Sequence, residues 1–202
     1  MAFKFNNIRT RLDQFIRRYH LYAFREAMIF SAITLGFHFL FRAFAAEIMR
    51  TWPVPLISEF TVDLLFRNSL WLNVHVLGMD ITTVDTTLFF PECGFIHINQ
   101  SCSAVKQFMQ WLVLMILYPG PWKHKLWYIP AGIFILHLTN IFRIVGLSVV
   151  LLNWPAYWNW SHDWVFRPFF YVVIFAMWVF WSERFSGKKL SKKDAGKSAK
   201  IT

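Results

Sequence analysis

Residues 126–152 read LWYIPAGIFILHLTNIFRIVGLSVVLL, 27 positions with one charged side chain, Arg143. A helix needs roughly 20 mainly apolar residues to cross the hydrocarbon core of a bilayer, so this stretch by itself assigns the chain to the membrane class. Pro130 stands near its start, where a missing N–H costs least. Composition agrees: of 202 residues, 56% are hydrophobic and 16% charged, against roughly half and a quarter in an ordinary soluble domain. The apolar content excludes a disordered chain, and two cysteines, Cys93 and Cys102, are too few for a disulfide framework.

Working outward, three further apolar runs are expected to cross: Ala27–Ile48, Val105–Tyr118 completed upstream by Ser101–Ala104, and Trp164–Trp181. No small-residue cleavage site follows the first run, which therefore reads as a retained span. Phe60–Gly78 is interrupted by Asp63, Arg67, Asn68, Asn73 and His75. It reads as an amphipathic or re-entrant helix on the outer face, with Asp63 and Arg67 paired at i, i+4. Asp80–Gln100 is broken by Pro91 and Gly94 and alternates over Gly94–Ile98, which predicts a short two-stranded hairpin over the outer mouth of the bundle. The expected fold class is an all-α polytopic membrane protein of about four transmembrane helices, plus that outer helix and a short extracytoplasmic β-hairpin.

The charge distribution decides partners and orientation. Residues 1–25 carry Lys4, Arg9, Arg11, Arg17, Arg18 and Arg25 against Asp13, and residues 183–202 carry seven cations against Glu183 and Asp194, which accounts for the whole net charge of +10. A nucleic-acid binder spreads its cations over a folded face; two basic flanks around a neutral apolar body follow the positive-inside rule instead. Both ends are expected to be cytoplasmic, which requires an even number of spans. Residues 47–100 then lie outside and hold six acids, Glu47, Glu59, Asp63, Asp80, Asp85 and Glu92, against Arg50 and Arg67. The organisation reads as a basic cytoplasmic segment over 1–26, a membrane-embedded domain over 27–182 with its outer-face region at 49–100, and a basic disordered cytoplasmic tail over 183–202.

Charged groups inside a bilayer are costly and are functional candidates by default. Arg143 lies 17 residues into its run, roughly 25 Å at 1.5 Å per residue, in the outer half; Asn140 precedes it by three residues and His137 lies a further turn below. Cys102 opens the second span and His162 the fourth, both at the outer end. A helix N-terminus and a nearby guanidinium each favour a thiolate. Cysteine as nucleophile, histidine as general base and acid, and arginine as oxyanion stabiliser suffice for acyl transfer.

With those residues in view, Asn99–Phe108, Asn140-Ile141-Phe142-Arg143-Ile144 and His162 resemble the exosortase/archaeosortase family over residues 80–182, and the short chain is similar to its compact bacterial exosortase branch. The family's cysteine is usually followed by Ser-Gly, where this chain has Ser103-Ala104. The resemblance implies a polytopic cysteine protease or transpeptidase of the bacterial cytoplasmic (inner) membrane, catalytic through Cys102, Arg143 and His162 on the extracytoplasmic face. It implies as partners exported proteins ending in a sorting tail (a short motif, a hydrophobic span and a basic end), membrane lipid, and a lipid-linked or glycan-linked acceptor for the new carboxyl end. Asn140, Ser103 and His137 are the candidates for orienting the substrate, and no cofactor, metal or nucleic acid is implied.

Two rivals differ in class. A membrane thiol–disulfide oxidoreductase would pair Cys93 with Cys102 across a short loop, though there is no C-x-x-C and no role for Arg143. A non-enzymatic membrane scaffold or export component would tolerate alanine at Cys102, Arg143 and His162. A metal site has no support in histidine spacing.

Overall fold

A computed structural model describes residues 22–91 and 93–186. Most of the basic N-terminal segment and of the Lys-rich tail, together with Glu92, lies outside the described residues. The chain is mostly helical: α1 (Tyr22–Arg50), α2 (Val54–Trp71) with a π-helical continuation Leu72–Val76, α3 (Val105–Leu117), α4 (Trp122–Asn153) and α5 (Arg167–Trp181). Between α2 and α3 lie β1 (Thr82–Val84), β2 (Thr87–Phe90) and β3 (Gly94–His97), then a 3-10 turn Gln100–Cys102. Three helical runs are long and apolar enough to cross a membrane: Phe24–Arg50, Trp122–Asn153 and Pro155–Phe185.

The remaining expected span is shorter than a full crossing. The helix over Val105–Leu117 has 13 residues, about 20 Å of rise, against a core of roughly 30 Å. Ser101–Ala104 does not extend it upstream, because Ala104 takes φ +59 in the left-handed region, which a right-handed helix cannot contain. The last span begins earlier than expected: its helical run starts at Pro155 and passes through a π-helical stretch Ser161–Phe166 before α5.

Helix directions follow from side-chain bonds. Tyr118 bonds Glu26 and Lys106 reaches His38, so α1 and α3 are antiparallel. Trp111 Nε1 donates to Ile129 O at 3.2 Å and Asn140 Nδ2 to Cys102 O at 2.6 Å, so α3 and α4 are antiparallel. Tyr128 OH donates to Met177 O and the Phe142 ring meets that of Phe169, which sets α5 against α4 in the same way. Asn68 Nδ2 meets His137 Nε2 at 3.2 Å and Asn73 Nδ2 donates to Ser148 Oγ at 2.9 Å, so α2 climbs along α4 in parallel. Joined by three residues, α1 and α2 therefore run in the same sense, and α2 is no return crossing.

The face that α2 turns inward is polar. Ser58, Thr61, Ser69 and Asn73 are buried beside Val62 and Leu65, while Leu56, Ile57, Phe60 and Trp71 are exposed. That inverted pattern suits an apolar surrounding. The expected Asp63–Arg67 pair is present on the exposed side, with Arg67 Nε donating to Asp63 Oδ1 at 3.0 Å.

The expected two-stranded hairpin is a three-stranded antiparallel meander. Asp85 adopts φ +50, so the run Ile81–Thr87 reverses on itself and Thr82 pairs with Phe89, while Leu88 pairs with Ile96. Leu88, Phe90 and Ile96 turn one face inward, and with Ile98 they pack in a cluster with Leu65 of α2 and Ile144, Leu147 and Leu151 of α4. A second cluster, around Trp111, Tyr118, Phe170 and Trp181, occupies the other end of the bundle. There Lys125 Nζ donates to Tyr118 O at 2.7 Å and Ile116 O at 3.3 Å, satisfying carbonyls that the end of α3 leaves free.

Candidate functional site

The site stands at the sheet end, where three segments meet. Ile98, fully buried, anchors the strand exit. Asn99 Oδ1 then accepts from Ser101 N at 3.0 Å, and Cys102 N donates to Asn99 O at 2.8 Å, which winds the 3-10 turn that presents the thiol. Cys102 thus lies ahead of α3, separated from it by the left-handed Ala104, and not in its first turn, so the expected placement at the helix N-terminus is not found. The φ of +59 at Ala104 is a conformation that glycine takes without a Cβ penalty.

Arg143 is buried, 8% exposed. Its Nη2 lies 3.9 Å from Cys102 Sγ and 3.4 Å from His162 Nε2, so one guanidinium nitrogen joins the sulfur and the imidazole. His162 and Cys102 are half-buried, leaving this junction reachable from outside. Asn140, fully buried, holds the Cys102 carbonyl through its Nδ2. Asn140 Oδ1 and Arg143 Nε are buried without a partner.

Sequence reasoning gave Asp163 no part in the site. In the structure its Oδ1 accepts from His162 Nδ1 at 2.8 Å and from Arg167 Nη1 at 3.0 Å. With Nδ1–H committed to the carboxylate, the free lone pair of the neutral ring lies on Nε2, the atom turned toward Arg143. The signal was the i, i+4 spacing of Asp163 and Arg167 together with adjacency to His162. The ring of Trp158 also lies nearly parallel to that of His162, centroids 6.4 Å apart.

Cys102, Arg143, His162 and Asn140 are brought together; Ser103 and His137 are not. Ser103 Oγ donates to Gln100 O at 2.7 Å and accepts from Val105 N, which ties the loop to α3. His137 is buried against Asn68 of α2. Cys93 and Cys102 are both free thiols, with Cys93 packed at the margin of the sheet cluster. Among the described residues, no three His, Cys, Asp or Glu side chains gather to hold a metal ion.

Compared with family models, with curated proteins and with solved structures, the chain matches none.

Proposed function

We propose that the chain is a cysteine-dependent transpeptidase or endopeptidase of the bacterial cytoplasmic membrane that cleaves C-terminal sorting tails of exported proteins at the outer face. The observation that carries this reading is the meeting of Cys102, Arg143 and His162 at one guanidinium nitrogen, from a turn, α4 and a π-helical stretch. In this reading α3, with its flanking turns, counts as a fourth, shortened crossing, so that the basic ends share the cytoplasmic side and the sheet caps the outer mouth.

His162 Nε2 takes the thiol proton, and the Cys102 thiolate is held by Arg143. The sulfur attacks the scissile carbonyl, and the oxyanion accepts from the Arg143 fork. Breaking the C–N bond leaves a thioester on Cys102, while His162 returns its proton to the departing amine. Water or an acceptor nucleophile, lipid-linked or glycan-linked, then displaces the sulfur. Asp163 keeps the His162 ring in the tautomer this needs and offsets its positive charge during transfer. The unpartnered Arg143 Nε and Asn140 Oδ1 suit a donor and an acceptor for a substrate peptide group.

The test is co-expression with an exported reporter ending in a motif, an apolar span and a basic cluster. Wild-type protein should shorten the reporter and yield a hydroxylamine-sensitive adduct on Cys102. Cys102→Ala protein that still processes the reporter at the wild-type rate defeats the proposal.

A further inference from the structure

A second group of cations lies away from the catalytic residues. His38 and Arg42 stand at i, i+4 on α1 and so share a face. Lys106, in the first turn of α3, meets that face: its Nζ lies 3.5 Å from His38 Nδ1 and 5.4 Å from the centroid of the Phe41 ring. Arg42, one turn beyond His38 on that face and next to Phe41 in the chain, stands on the side of α1 that Lys106 meets. Among the described residues no carboxylate forms an ion pair with either cation, and Glu47, the next acid along α1, pairs with neither. Like charges brought together by two helices without a counter-ion repel each other, and an anion bound between them would relieve this. His38 and Lys106 are half-buried and Arg42 is exposed, so the group is open on one side.

Depth identifies the anion. Arg42 lies 18 residues beyond Phe24, where the apolar run starts, a rise of about 27 Å against a hydrocarbon core of roughly 30 Å. That is the level at which lipid phosphates begin. Lys106 follows Cys102 by four residues, so the group sits near the depth of the thiol. Arg42 offers a planar fork and Lys106 a compact ammonium, both matched to phosphate oxygens. His38, accepting at Nδ1 from Lys106, keeps an N–H on Nε2 as a further donor.

We infer that His38, Arg42 and Lys106 form a binding site for the phosphate of an anionic phospholipid headgroup. The site requires no catalytic step, so it stands or falls separately from the proposed peptidase activity.

The test uses the full chain in phosphatidylcholine nanodiscs carrying a small fraction of spin-labelled lipid, with the immobilised fraction as readout. Wild-type protein should prefer phosphatidylglycerol over phosphatidylcholine by roughly thirtyfold, as two cations at the headgroup level supply. Arg42→Gln and Lys106→Gln should each lower the preference roughly fivefold, and the double variant should bring it near unity. Arg42→Lys with Lys106→Arg keeps both charges and should retain most of the preference, a control that the surface still folds. Cys102→Ala should bind lipid as wild type does. Unchanged preference in either single glutamine variant overturns the site. Displacement of the labelled lipid by inorganic phosphate would identify a free-anion site and overturn the lipid assignment.

Discussion

Compare α1 with α4. Their apolar runs, Phe24–Arg50 and Trp122–Asn153, have 27 and 32 residues, and both are long and apolar enough to cross a membrane. Yet 6% of the α1 window is buried inside the protein, against 56% for α4. Hydropathy decides that a helix belongs in lipid; it does not decide which neighbours it keeps. What separates the two is small and polar side chains at close contacts. The Trp111 indole lies where a Cβ on Gly132 would stand, and the Phe166 ring would come within 2.5 Å of a Cβ on Gly146. On α1, Gly36 faces open space and Leu35, Phe39 and Leu40 point outward. The polar residues follow suit. His137, Asn140, Arg143 and Ser148 of α4 are buried, whereas Arg42 and Glu47 of α1 are exposed. In a membrane protein, close packing and buried polar contacts replace the hydrophobic drive between helices.

The largest expected effect falls on the α4 side. Arg143→Lys should lower reporter processing about 10²–10³-fold, the loss typical of one oxyanion donor, because an ammonium lacks the planar fork. The measurement is the processing rate per folded protein, and a rate within twofold of wild type would remove Arg143 from the chemistry. Next comes Gly132→Ala, expected to destabilise by roughly 1–3 kcal/mol or more, since the added methyl meets an indole already hydrogen-bonded to Ile129 O. Unfolding in mixed micelles reads it, and a neutral result would mean that the α3–α4 contact is looser than it stands here.

Asp163→Asn should slow processing roughly tenfold to a hundredfold and shift its pH profile, with protein yield unchanged. The amide can hold the ring in the wrong tautomer. A rate loss with an unmoved pH profile would make Asp163 only a brace for Arg167. Ala104→Gly should stabilise by about 1 kcal/mol by removing the left-handed Cβ penalty; a loss of stability would place the αL conformation in doubt. The smallest effect belongs to α1. Gly36→Ala should stabilise by about 0.5–1 kcal/mol through helix propensity alone, and a destabilisation there comparable to that of Gly132→Ala would break the contrast between the two helices.

The long runs were legible because a span is recognised by length and apolarity, both local properties. The Asp63–Arg67 pair was legible for the same reason, since i, i+4 spacing on a helix is a local geometry. The shortened α3 was not, because Ser101–Ala104 can open a helix as well as precede one and nothing in an alanine announces a positive φ. Three strands were read as two because the reversal at Asp85 has no glycine or proline to mark it. That His137 and Ser103 stand apart from the Cys102–Arg143–His162 junction was not legible, because their partners, Asn68 on α2 and Gln100 in the preceding turn, depend on how the chain folds back. Asp163 was underrated because a carboxylate beside a histidine reads equally as a helix cap until the ring's orientation is known.

What the chain's order of residues determined alone was its solvent: apolar runs of this length must satisfy every backbone group within a helix, and that follows from composition without knowledge of any contact. It also singled out Cys102, Arg143 and His162, since charge and nucleophilicity are properties of residue types. Their meeting belongs to the tertiary structure. Side-chain bonds between residues 18 to 92 positions apart set the helix directions and hold the thiol against the guanidinium, and distances of a few ångströms across such separations are fixed by packing, which no local pattern encodes.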